Sequence, residues 1–220
     1  MSDKFQTLLP ELYKAFLETI LMSSIAITLS VLIGLPLGIL LYLTRNQLLL
    51  PNGPLNSILG FIVNILRSFP FIILMVAILP FATKIVGQSH GPYVASVALT
   101  LAAVPLFARL IETSLKEVDK GVIEACVATG ASLKQIIMDV LIPESMSGIF
   151  QAITLAIISI LAYSATAGVI GGGGIGDLAI RYGYYRYDNV TMIVTVIILI
   201  ILVQLIQITG DFISKRVDKR

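Results

Sequence analysis

VTMIVTVIILIILVQLIQITGDFI, residues 190–213, carries a single charged side chain, Asp211. A bilayer-spanning helix needs roughly 20 mostly apolar residues, and this stretch supplies them in one block. The rest of the chain shares the bias. Hydrophobic residues make up 57% of the sequence and charged residues 13%, against roughly 25% charged in soluble domains. The mean hydropathy is +0.96. That deficit of charge is too large for a water-facing surface, so an all-α polytopic membrane protein is expected.

Four further segments qualify as spans: about 17–43, 58–81, 94–110 and 149–170. The third is interrupted by Thr100 and Pro105, and Pro80 and Pro105 are expected to kink or end helices. The first is too long for a signal-peptide core and is expected to be retained. The five spans and their loops read as one domain over 13–214. Lysine and arginine placement sets the orientation. With the N-terminus outside, the inner side holds Arg45, Arg109, Lys116, Lys120, Lys134, Lys215, Arg216, Lys219 and Arg220. The outer side holds Lys4, Lys14, Lys84, Arg181 and Arg186. The larger inner set predicts N-out, C-in, and leaves Arg67 embedded.

Arg67 does not stand alone. On a helical wheel Asn56, Ser57, Gly60, Asn64, Arg67 and Ser68 fall within about 120°. An arginine at a span centre costs about 2.5–3.5 kcal/mol on insertion scales, so this stripe should line a subunit interface or a watery pathway; snorkelling to the headgroups is the bland alternative. Gly34 and Gly38 form a GxxxG pair suited to close helix packing. Gln204, Gln207 and Asp211 share a face, for which interhelical hydrogen bonding is the default.

Between the third and fourth spans the sequence reads DKGVIEACVATGASLKQIIMDVLIP, residues 119–143. A helix over about 120–129 is expected to end at a left-handed Gly130. Ser132 and Gln135 form a capping-box pattern for a second helix, which Pro143 interrupts. Val122, Ile123, Cys126, Val127 and Leu133 are too few to span anything. They need the membrane end of their own protein, or a soluble partner, to pack on.

The sole cysteine, Cys126, and the sole histidine, His90, leave little for disulfide, zinc or Ser-His-Asp chemistry. No cofactor or metal is expected. Gly171, Gly173 and Gly176 satisfy GxGxxG, but no strand precedes them, and a flexible, tightly turning external loop is expected instead. No phosphate loop GxxxxGK[ST] occurs, so the chain itself is not expected to hydrolyse nucleoside triphosphates. Tyr182, Tyr184, Tyr185 and Tyr187 beside Arg181 and Arg186 read as an interfacial belt, or as a contact for an external protein.

Glu124-Ala125-Cys126, with Gly130 and Pro143 at their offsets, resembles the EAA loop of binding-protein-dependent ATP-binding-cassette (ABC) importer permeases. Cys126, Val140 and Ile142 replace the family's alanine, isoleucine and leucine. Residues 64–81 and 162–189 resemble the methionine importer permeases, D- and L-methionine being the implied substrates. The resemblance implies a type I permease fold of five spans with a cytoplasmic coupling helix. It implies ATPase-coupling roles for Glu124, Ala125, Gly130, Ala131 and Pro143. Pathway and gate candidates are Asn64, Arg67, Ser68, Tyr163, Ser164 and Thr166; Thr166 stands where the family's outer closing stretch carries methionine. The implied partners are a second copy of the chain, two cytoplasmic ATPase subunits, an external substrate-binding lipoprotein and membrane lipid, with no nucleic acid. The implied location is a bacterial inner membrane. A secondary transporter or channel is the alternative class, and a membrane enzyme a weaker third.

Overall fold

The computed structural model of the protein describes residues 2–218. Lys219 and Arg220, part of the inner charge set, lie outside the described residues, as does the Lys4 side chain. Helix α1 (Ser2–Arg45) is long enough to cross a bilayer from Leu8 onward. So are α4 (Pro92–Lys116), α8 (Met146–Ala167, extended to Ile170) and α10 (Asn189–Val217).

The expected span at 58–81 is not one helix. It is α2 (Gly53–Ser68) and α3 (Phe71–Val86), bent by 105° at Phe69–Pro70. Pro70 has no N–H to donate, and its ring disfavours a helical residue before it; Phe69 is accordingly extended, at φ −71° and ψ 129°. Taken together the pair is long and apolar enough to count as a fifth, broken span. Pro80 and Pro105, in contrast, lie inside helices that run through them.

α4 is the axle of the bundle, packed by α1, α2, α3 and α8. Its contact with α1 depends on the GxxxG pair. A Cβ on Gly38 would sit 2.5 Å from the Ala108 carbonyl oxygen, and one on Gly34 3.0 Å from the Phe107 ring. Bare backbone at these positions lets the helices approach closely. Asn56 fixes α2 to α1, donating to the Leu41 carbonyl at 2.8 Å and to Thr44 Oγ1 at 2.9 Å. α10 is held to α8 by Ser214, which bonds Ser147 and Gln151. Gln207 donates within its own helix to Asp211 at 2.8 Å rather than across helices. Much of α10, including Ile193, Ile197, Ile200, Leu205 and Phe212, is exposed, as a lipid-facing surface would be.

Between α8 and α10 the chain folds back. Gly171, Gly173 and Gly174 take positive φ, and a short helix α9 (Gly174–Leu178) continues as a wider π-helical turn, Ala179–Tyr184. Tight turning is as expected, but this is a packed fold-back rather than an open loop. A Cβ on Gly172 would meet the Ala167 carbonyl at 2.8 Å, and one on Gly174 would meet Met22 at 2.5 Å. The first turn of α9 is capped from 156 residues away: Gly174 N–H donates to Glu18 Oε2 and Ile175 N–H to Thr19 Oγ1, both at 2.9 Å.

Candidate functional site

Two places in the bundle gather the chemistry singled out above. The first is the 119–144 segment. Asp119 accepts from Gly121 N–H and starts α5 (Lys120–Ala128). Gly130 turns the chain at φ +79°, and Ala131 N–H closes back on the Cys126 carbonyl at 3.1 Å. Ser132 and Gln135 form the full reciprocal capping box at the start of α6 (Leu133–Gln135). A π-helical turn, Ile136–Leu141, then runs into α7 (Ile142–Glu144). Pro143 sits directly beyond the wide turn, whose longer-spaced bonds relieve the clash a proline imposes on the preceding turn.

The apolar residues of this segment divide. Ile123 is fully buried in a core with Phe107, Ile111, Leu115 and Ile149, and Cys126 and Leu133 pack at its edge. Burying an isoleucine contributes about 1.5–3 kcal/mol, so α5 is anchored to the bundle. Val122 and Val127 stay exposed, with Glu124 and Ala125 between them.

Beside this anchor lies a group absent from the candidates read in the sequence. Glu112, with 1% of its side chain exposed, faces three cations: Arg109, Lys116 at 2.5 Å and Arg45 at 3.8 Å. Arg109 also donates to Asn64 Oδ1 at 2.8 Å. One buried carboxylate therefore ties α1 to α4, and Arg109 extends the tie to α2. A glutamate near a span end reads as a loop residue in sequence; only its i−3 and i+4 cations hinted at the cluster.

The second place is the break in α2–α3. A cavity of about 160 Å³ opens there, walled by Leu66, Arg67 and Phe69 on one side of Pro70 and by Phe71 and Leu74 on the other. Ala102 and Leu106 of α4 and Tyr163 of α8 complete its lining. The Phe71 and Tyr163 rings stack, with centroids 4.6 Å apart and planes 15° from parallel. Of the pathway candidates, Arg67 and Tyr163 thus share one cavity. Asn64 is held by Arg109. Ser68 Oγ donates to the Asn64 carbonyl, and buried Ser164 to Leu161 on its own helix. Thr166 Oγ1 reaches the Ala162 carbonyl at 3.4 Å.

At the fold-back end, Tyr182 Oη donates to Glu11 at 2.7 Å, and Arg186 lies 4.4 Å from the ring centre. The hydrogen bond to Glu11, reinforced by burial, raises the phenol above its ordinary pKa. Tyr184, Tyr185 and Tyr187 remain exposed.

A bundle of spans around a buried axle, with a capped helix anchored at one end, describes a multi-pass membrane protein. The chain belongs to the family of binding-protein-dependent transport system inner membrane components, whose profile matches residues 34–220. It is 48% identical over 203 residues to the probable D-methionine transport system permease protein MetI of Vibrio cholerae, covering 92% of this chain and 90% of the relative. It is 46% identical over 212 residues to the methionine import system permease protein MetP of Bacillus subtilis, covering 96% of each. An inward-facing structure of the MetNI methionine ABC transporter aligns over all of both chains, at 41% identity and a TM-score of 0.94. A structure of an amino acid ABC transporter with histidines shares the fold, with a TM-score of 0.79 at 18% identity over 97% of each chain.

Proposed function

We propose that the chain is the permease of an ATP-binding-cassette importer of D- or L-methionine, forming the pathway together with a second copy of itself. Two cytoplasmic ATPase subunits supply the energy, and an external binding protein delivers the substrate. The chain sits in a bacterial inner membrane with its N-terminus outside and its C-terminus inside. The names of the relatives support the substrate.

One observation carries the mechanism. α5 is capped at its start and turned at Gly130, sealed to the bundle through Ile123, and exposes Val122, Glu124, Ala125 and Val127 on its free face. Such a helix suits an ATPase groove. The exposed apolar residues give contact area, and Glu124 accepts charge-assisted hydrogen bonds worth about 1.5–3 kcal/mol each. Ala131 and Pro143 shape the return to α8. Moving a permease from 1:99 to 99:1 between two states takes about 5.5 kcal/mol of differential interaction. An anchored helix can transmit that work, whereas a loose loop would dissipate it. Tyr163, Ser164 and Thr166, in the last turns of α8 before the fold-back, are pathway and gate candidates together with Asn64, Arg67 and Ser68.

The test is ATP-dependent uptake of radiolabelled methionine into vesicles holding this chain, its ATPase and its binding protein, against a panel of amino acids. Methionine uptake is expected to be saturable and to require all three proteins. Glu124→Ala should insert normally yet lower ATPase co-purification and uptake together. Uptake without the ATPase, or preference for another substrate class, would overturn the proposal.

A further inference from the structure

The Arg67 side chain, exposed in the single chain, makes no hydrogen bond or ion pair among the described residues, unlike Arg109, which occupies both ends of its guanidinium. It borders the cavity opposite Ala102 and Leu106, which flank the midpoint of α4. That places a cation beside the middle of a spanning helix, where ionisable groups are costly and mark ligand pathways. The other walls are apolar or aromatic. The break also ends α2 there, leaving its last carbonyls short of helical donors.

Size narrows the ligand. Pockets for drug-sized molecules run from roughly 300 to 1,000 Å³, and an apolar cavity of about 150 Å³ holds a molecule the size of benzene. The volume of about 160 Å³ therefore admits one small ligand with an apolar body and an anionic end. A guanidinium takes a carboxylate through two parallel hydrogen bonds, and a thioether packs well against aromatic rings at about 5 Å.

We propose that this cavity is a transit site for one amino-acid zwitterion within the permease itself. Arg67 holds the α-carboxylate, and the stacked Phe71–Tyr163 pair receives an apolar, polarizable side chain. The inference rests on the importer reading above and adds to it a site in this chain, distinct from that of the binding protein. It also explains why the span is broken at Pro70: the break opens space that a continuous helix would fill.

The test uses the complete transporter in vesicles with a diazirine analogue of methionine, irradiated during ATP-driven turnover and mapped by peptide mass spectrometry. Adducts are expected on 66–74 or at Tyr163, competed away by excess methionine. Leu106→Trp, which fills the cavity, should remove them and lower uptake at least tenfold. Tyr163→Leu, a milder change that keeps the bundle packed, should weaken labelling severalfold. Arg67→Gln should lose most labelling, and Arg67→Lys should recover part of it. Competed adducts confined to other segments, or wild-type labelling in Arg67→Gln, would overturn the site while leaving the importer reading intact. A wild-type transporter that takes up no methionine would instead overturn the importer reading.

Discussion

Arg109 of α4 donates to Asn64 of α2 at 2.8 Å while its other terminal nitrogen holds Glu112. The two helices are thereby locked within one turn of the cavity, on the side of it that leads toward α5. Glu112→Ala would leave Arg109 and Lys116 facing each other without their shared carboxylate. Removing one partner of a buried pair costs about 3–5 kcal/mol. The lower end applies here, because Arg109 is 24% exposed and can gain water. Asn64→Leu removes one charge-assisted bond, about 1.5 kcal/mol. Thermal unfolding of the purified protein in detergent should rank Glu112→Ala below Asn64→Leu, and both below wild type. Equal melting temperatures would show the cluster to be energetically idle.

Gly38→Ala probes the α1–α4 contact. Its new Cβ meets a backbone carbonyl at 2.5 Å, which cannot rotate away, and Ile111 at 2.7 Å. Overpacking of this kind costs about 1–3 kcal/mol. Gly34→Ala, whose nearest neighbour is the Phe107 ring at 3.0 Å, should cost less. Thermal unfolding in detergent checks the order, and a Gly38→Ala protein as stable as wild type would contradict the close approach.

Gly130 is constrained by conformation alone, since no atom lies within 4 Å of a Cβ placed there at φ +79°. Gly130→Asn should therefore be nearly neutral, because asparagine tolerates the left-handed region. Gly130→Val should cost about 1–2 kcal/mol and misdirect α5, cutting ATP-dependent uptake while membrane insertion stays normal. Identical uptake by the two variants would separate this turn from coupling.

The proposed orientation is open to cysteine labelling in a Cys126→Ala background. Ser89 is exposed in the turn between α3 and α4, and Lys134 is exposed in the segment beyond α5. An impermeant thiol reagent added outside cells should label Ser89→Cys and spare Lys134→Cys. Ser114 and Ser214 would be poor reporters, being buried. The reverse pattern would invert the chain and remove the coupling role of α5.

Local signals in the sequence were legible because their partners are local. The capping box of Ser132 and Gln135, the left-handed Gly130 and the span at 190–213 are each decided within a few residues, and the structure has all three. The break at Pro70 is hidden in the sequence although its cause is also local. The apolar count across 58–81 is continuous and hides a proline that ends one helix and starts another. Glu112 and the capping of α9 were illegible for a different reason, since Arg45, Asn64, Glu18 and Thr19 are distant in sequence from the groups they meet. Of the cavity, Arg67 and Tyr163 could be nominated separately, but only the bend brings Phe71 onto Tyr163.

The bonds from Glu18 to Gly174 and from Thr19 to Ile175 set an order of biogenesis. Both acceptors leave the ribosome 156 residues before their donors. At about 5–20 residues per second, α1 waits some 8–30 s in the membrane before its cap partners exist. During that interval Glu18 has to be sheltered by water, lipid headgroups or the insertion machinery. The last third of the chain then closes on the first, so a ribosome stalled before Gly174 would leave spans inserted but the fold-back end unsealed.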